Sequence, residues 1–265
     1  MRKSLGVFVT LALVVAACGG PDDVSDVDGD DPVVQITSEG GFAPVELVLS
    51  TGPRYTLLGD GRLIYQGFQT MEFPGRLVPP YLATTLDDNQ MAAVQAMVED
   101  IGLPEIDDEV DDSAAAVIAD ATTEVIRYWD DAGEHRLAVY ALGIDEEASA
   151  RNAAFLELIT TFDRFTAETE AESYEPVWVR VLAGEGFTDP EFEDVREWPL
   201  EHGDFSNWTE LPNGWFCTTV SAAALAPFEN ATQATTWEPP TGSQSTSPIT
   251  LLVRPLLPGE PNCPS

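Results

Sequence analysis

The chain is poor in basic groups. Of 265 residues only 12 are Lys or Arg against 46 Asp or Glu, and Lys3 is the sole lysine. A field of that sign repels phosphate backbones and anionic headgroups, which argues against nucleic acid as a partner. It suits a cationic ligand, calcium or a basic protein, and equally a solvated surface in salty surroundings. Histidine occurs twice, at His135 and His202, and neither belongs to an HExxH helix or follows a GxSxG elbow. His135 falls in a predicted strand and reads as exposed, while His202 falls in a loop. A Ser–His–Asp triad assembled from distant positions stays open, because its members need not be close in sequence. Glycine-rich dinucleotide loops are missing too, since Gly184-Glu185-Gly186 has Asp189 where the third glycine would stand. No cofactor is implied. After Val15 no apolar run is long enough to span a bilayer, which takes about 20 residues.

What is present begins at the amino terminus. Arg2 and Lys3 are followed by an almost unbroken apolar run from Leu5 to Val15, then by Val15-Ala16-Ala17-Cys18-Gly19. Charged, apolar and small-residue regions in that order are a secretion signal, too short and wrongly flanked for a permanent membrane helix. Small residues ending in Cys resemble a bacterial lipobox. The resemblance implies diacylglycerol on Cys18, cleavage just before it, and a protein held at the outer face of a cell membrane. Acyl chains anchor at about 0.8 kcal/mol per buried methylene, and two or more hold stably. Cleavage would remove both Arg2 and Lys3, leaving 10 basic against 46 acidic residues, a net charge of −36.

Cys217 and Cys263 remain, and an oxidising compartment makes a disulfide between them the expectation. It would close a loop of about 47 residues, worth roughly 4 kcal/mol in the chain-entropy picture. Residues 19–32 are acidic and carry no apolar period, so they read as a tether. The tether's Asp26, Asp28, Asp30 and Asp31 do not make an EF-type loop, because alignment on Gly29 puts Val24 first and Gln35 last. A second acidic stretch, with Asp107, Asp108, Asp111 and Asp112, is a weak calcium candidate. No metal site is otherwise expected.

Secondary structure alternates between strands and helices. Residues 45–50 and 54–58 read as short strands, and Gly59-Asp60-Gly61 turns the second into residues 62–66. Tyr55, Leu57, Leu63 and Tyr65 would line one face. Thr85-Leu86-Asp87-Asp88 resembles a capping box, with Met91, Val94, Val98 and Ile101 on one helical face and Gly102 as terminator. Residues 117–128 and 135–142 predict a second hairpin. Asp145 is placed to cap a helix reaching about Phe165, with Phe155, Leu158, Ile159 and Phe162 inward. Val177, Val179 and Val181 alternate with Trp178, Arg180 and Leu182, which predicts a half-buried strand. Strands are also expected near residues 215–220 and 249–253, with Ser221 opening a short helix that Pro227 interrupts or ends.

The expected class is α+β: hairpin-rich antiparallel sheets with two to three packing helices. The expected division is a signal peptide at 1–17, a lipidated tether at 18–32, an N-terminal domain at 33–172 and a C-terminal domain at 173–265. The early Gly-Asp-Gly hairpin, the capped helix and the run Val253-Arg254-Pro255-Leu256-Leu257-Pro258 ending in Cys resemble secreted lipoproteins of high-GC Gram-positive (actinobacterial) bacteria. That resemblance implies a location and carries no catalytic residue. A lipid-anchored envelope protein with a non-catalytic binding or structural role is the reading. An envelope-polymer hydrolase using a carboxylate pair, or a transporter's solute-binding component, are the alternatives.

Overall fold

A computed structural model of the chain describes residues 31–43, 48, 50–68, 74–116, 118–144, 149–185, 194–200, 205–241 and 246–263. The fold is α+β, built on two mixed sheets. The first comprises β1 (Pro32–Gly40), β2 (Tyr55–Leu58), β3 (Arg62–Gln66), β4 (Tyr81–Thr85), β5 (Asp108–Asp111), β6 (Thr122–Asp130), β7 (Gly133–Tyr140) and β8 (Glu172–Ser173). Their spatial order is β5-β7-β6-β1-β2-β3-β4-β8, so β1 sits centrally between β6 and β2. All pairs are antiparallel except β5 with β7, an edge pair that runs parallel. The Gly-Asp-Gly hairpin forms as expected, with Tyr55 opposite Tyr65 and Leu57 opposite Leu63. Gly61 adopts φ 88°, the left-handed geometry this turn requires.

Two helices cover one face of this sheet. In α1 (Asp88–Ile101), Val94, Val98 and Ile101 are buried, and Gly102 ends the helix in the left-handed conformation. The cap is Asp87, whose side chain accepts from the Asn89 and Gln90 N–H groups while Gln90 reaches back to the Asp87 N–H. The capping box therefore sits two residues later than Thr85, which ends β4 instead. In α2 (Ala150–Glu168) the cap is Ser149, accepting from the Asn152 N–H. Asp145 lies outside the described residues. Phe155, Leu158, Ile159, Phe162 and Phe165 meet Val34, Ile36, Tyr55, Leu57, Leu63, Ile126 and Leu137 in a single core. The second hairpin runs β6 to β7 and begins at Thr122 rather than 117. The run 45–50 falls largely outside the described residues, and its Val48 and Ser50 are helical, not extended.

The second sheet comprises β9 (Trp178–Glu185), β10 (Asp194–Arg196), β11 (Thr209–Glu210), β12 (Phe216–Ser221), β13 (Thr235–Trp237) and β14 (Ile249–Pro255). Their order is β10-β13-β14-β9-β12-β11. Ser221 caps the 3-10 helix Ala222–Phe228, which contains Pro227. Val179, Val181 and Ala183 face a core with Phe228, Trp237, Ile249, Leu251 and Val253. Leu77 joins that core as well, because the β3–β4 connection crosses over and bridges Arg76 to Thr232. On the other face, Leu182 packs with Leu211, Trp215 and Cys217. Gly184 is what lets Trp215 in: a Cβ there would lie 2.5 Å from its ring. Residues 179–184 are thus buried on both faces, whereas the alternation had predicted one wet face.

Over Arg180 the cover is the C-terminal segment 256–263, which lies as a strap between the sheets. Leu257 packs with Leu58, Ile64 and Tyr81 on the face of the first sheet opposite the helices. Gln35 donates to the Pro258 carbonyl, a contact spanning 223 residues of sequence. On the other side Arg180 and Arg254 stand directly opposite each other on β9 and β14. Two buried cations side by side repel. Glu260 of the strap answers both, bonding Arg254 at 2.6 and 2.8 Å and lying 3.7 Å from Arg180. Arg180 also donates to the Asn262 carbonyl at 3.1 Å and to that of Pro261. The Cys217–Cys263 disulfide fastens the end of the strap.

Candidate functional site

Where the strap passes the ends of both sheets it leaves a groove of ≈ 530 Å³, within the size range of small-molecule sites. Five chain segments meet there: the start of β1, the β2–β3 turn, the β6–β7 turn, the link from β8 to β9, and the strap itself. The apolar wall is Trp129, Tyr174, Val177 and Trp178 with Leu256 and Pro258. Three carboxylates, Asp31, Asp130 and Asp131, belong to the same lining, which among the described residues contains no Lys or Arg. Each position follows from local structure. Trp129 and Asp130 end β6, so the tight turn at Asp131 and Ala132 presents both acids beside the indole. Asp31 is held because its carbonyl accepts from the Gly59 N–H at 3.0 Å. The Trp178 carbonyl accepts from Leu256, tying the strap to the floor. Gly259 has φ 81°, and a Cβ there would fall 2.9 Å from Pro32 and 3.2 Å from Trp129. A side chain at 259 would push the strap off the wall.

The three acids differ in partners. Asp130 accepts from the Ala132 N–H at 2.7 Å, and its Oδ1 lies 3.0 Å from Nε2 of His135. The other ring nitrogen of His135 is 2.6 Å from the Ile106 carbonyl. Both neighbours are acceptors, and a neutral imidazole has only one N–H, so this geometry calls for an imidazolium. The bond to Asp130 and then that to Ile106 hold the His135 pKa above its usual 6.5, and the His135 bond holds the Asp130 carboxyl below the usual carboxylate range. His135 is buried, 5% exposed and stacked on Tyr128, which corrects the expectation of an exposed strand residue. Its bond to the Asp130 carboxylate, three residues before its own strand begins, turns it inward. Asp31 and Asp131 have no ion pair among the described residues.

The remaining sequence candidates lie elsewhere. Cys217 and Cys263 come together as the disulfide. Cys18 and His202 lie outside the described residues. The acidic stretch is spent on its own chain: Asp108 pairs with Arg136, Glu109 with Arg151, and Asp111 accepts from Ser113 and Asn152. The bonds from Ser113 and Asn152 lower the Asp111 pKa. Among the described residues neither Asp107 nor Asp112 has a side-chain hydrogen bond or ion pair, and no three His, Cys, Asp or Glu side chains group as metal ligands. Carboxyls displaced from their ordinary values among the described residues are Asp111, Asp130, Asp194 and Glu260, and all four move down. For Glu260 burial pushes up, but the Arg254 charge and its paired bonds win. A glycosidase's general acid needs the opposite shift.

No family model, curated protein or solved structure matches the chain. The site therefore has to be read from its own chemistry. Sequence reasoning passed over Trp129, Tyr174, Trp178, Asp130 and Asp131, which lie up to about fifty positions apart. The one local signal was Trp129 abutting Asp130-Asp131 at a hairpin turn.

Proposed function

We propose that the protein is a lipid-anchored binding protein of the cell envelope, held through Cys18 on the extracytoplasmic face of a membrane and working through the groove beside residue 31. The observation that carries the binding role is the composition of that groove: a ligand-sized cleft with an aromatic wall, three acids and, among the described residues, no Lys or Arg. Its placement suits an anchored protein, because Asp31 and Pro32, the last residues of the tether, form part of the groove wall. Asp130, the groove acid held below the usual carboxylate range, favours binding over hydrolysis, since an ionised carboxylate accepts hydrogen bonds but donates no proton. The net charge of −36 on the processed chain favours a cationic partner over a polyanion.

The anchor is tested by fractionating cells that express Cys18→Ala. The variant should leave the membrane fraction and appear in soluble form, with an unchanged melting temperature. Persistence of Cys18→Ala in the membrane fraction would sink the lipid anchor.

A further inference from the structure

Resting on that binding reading, we infer that the groove takes an organic cation with an apolar body, of the alkylated-ammonium class. Trp129, Trp178 and Tyr174 supply aromatic rings, which attract such a cation through their faces, an interaction worth most where water is partly excluded. Asp31 and Asp131 supply the counter-charge. They are the two lining acids without an ion pair among the described residues, whereas the charge on Asp130 is already balanced by His135.

Other ligand chemistries fit less well. A metal ion is strongly hydrated and seeks converging oxygens, not indole rings. A sugar could offer hydroxyl donors to the acids but no opposite charge to answer Asp31 and Asp131. A neutral apolar molecule would strip water from Asp31 and Asp131 with nothing to compensate. The chain's own residues 19–30 carry acidic charges alone and would meet like charge.

The test is isothermal titration of the full chain in non-ionic detergent, with benzyltrimethylammonium chloride as probe and benzyl alcohol as its uncharged counterpart. The cation should bind saturably, and benzyl alcohol about tenfold or more weakly. Trp178→Ala should weaken the cation about tenfold. Because Trp178 opens a central strand, the second variant is Asp131→Lys on the exposed hairpin turn, which should abolish cation binding and leave the melting temperature unchanged. High salt should weaken the wild-type complex as it screens the two acids. Equal binding of both probes would overturn the cation class and leave a charge-blind binding groove. Cation binding untouched by Asp131→Lys would overturn the assignment to this groove. No saturation by either probe below about 10 mM would overturn the inference altogether. None of these outcomes alters the membrane partition of Cys18→Ala, so the anchor stands or falls separately.

Discussion

At the scale of single residues, His135 ties a proton to the fold. Its folded pKa lies above the ordinary 6.5, so its contribution to stability is complete below that value and is lost as pH rises through the raised one. The groups around it are Asp130, the Ile106 carbonyl, the Asp107 charge and the Tyr128 ring. The melting temperature should fall as pH rises above about 6.5 and through the raised pKa, and His135→Ala should flatten that slope. A wild-type melting temperature level across this window would mean that the imidazolium is not held. The same residue shows what the sequence hides. Its neighbours in the chain mark it as part of a strand, but only the bend that brings Asp130 and Ile106 to its two nitrogens turns it inward.

At the scale of elements, the helix start is decided by one side chain. Asp87 satisfies two otherwise orphaned N–H groups of α1, and Gln90 returns the bond. Asp87→Ala should cost about 1 kcal/mol, read as a lower denaturant midpoint with unchanged slope. Thr85→Ala, at the end of β4, should cost much less. The helix itself was legible because Val94, Val98, Ile101 and Gly102 are all local signals. The cap was misplaced because Thr85 and Asp87 both qualify by type, and only the end of β4 chooses between them. The hairpin around Asp60 was legible for the same local reason. Burial of β9 was not: Arg180 looks like the wet face of a strand until the strap covers it. Pairing of β1 with β6, which sets Val34 opposite Tyr128, likewise has no local mark.

At the scale of the molecule, the strap joins what the two sheets separate. Burial pulls the Arg180 pKa down to about 10, with Arg254 adding to the shift, and Glu260 is the group that makes both cations tolerable. Glu260→Gln would leave two buried guanidinium groups without a counter-ion and should cost about 3–5 kcal/mol. Urea unfolding would show the loss directly, and a cost below about 1 kcal/mol would mean that solvent reaches the cluster. The groove residues were illegible for a related reason. Trp129, Tyr174 and Pro258 become neighbours only through the strap, so no spacing in the sequence could have announced them.

The strap also sets a clock. Gln35 cannot meet Pro258, nor Arg254 its carboxylate, until more than two hundred residues beyond β1 have emerged. Contacts that distant are slow to form. A chain still being synthesised would therefore carry its first sheet with one face bare, and close only once its far end had been released.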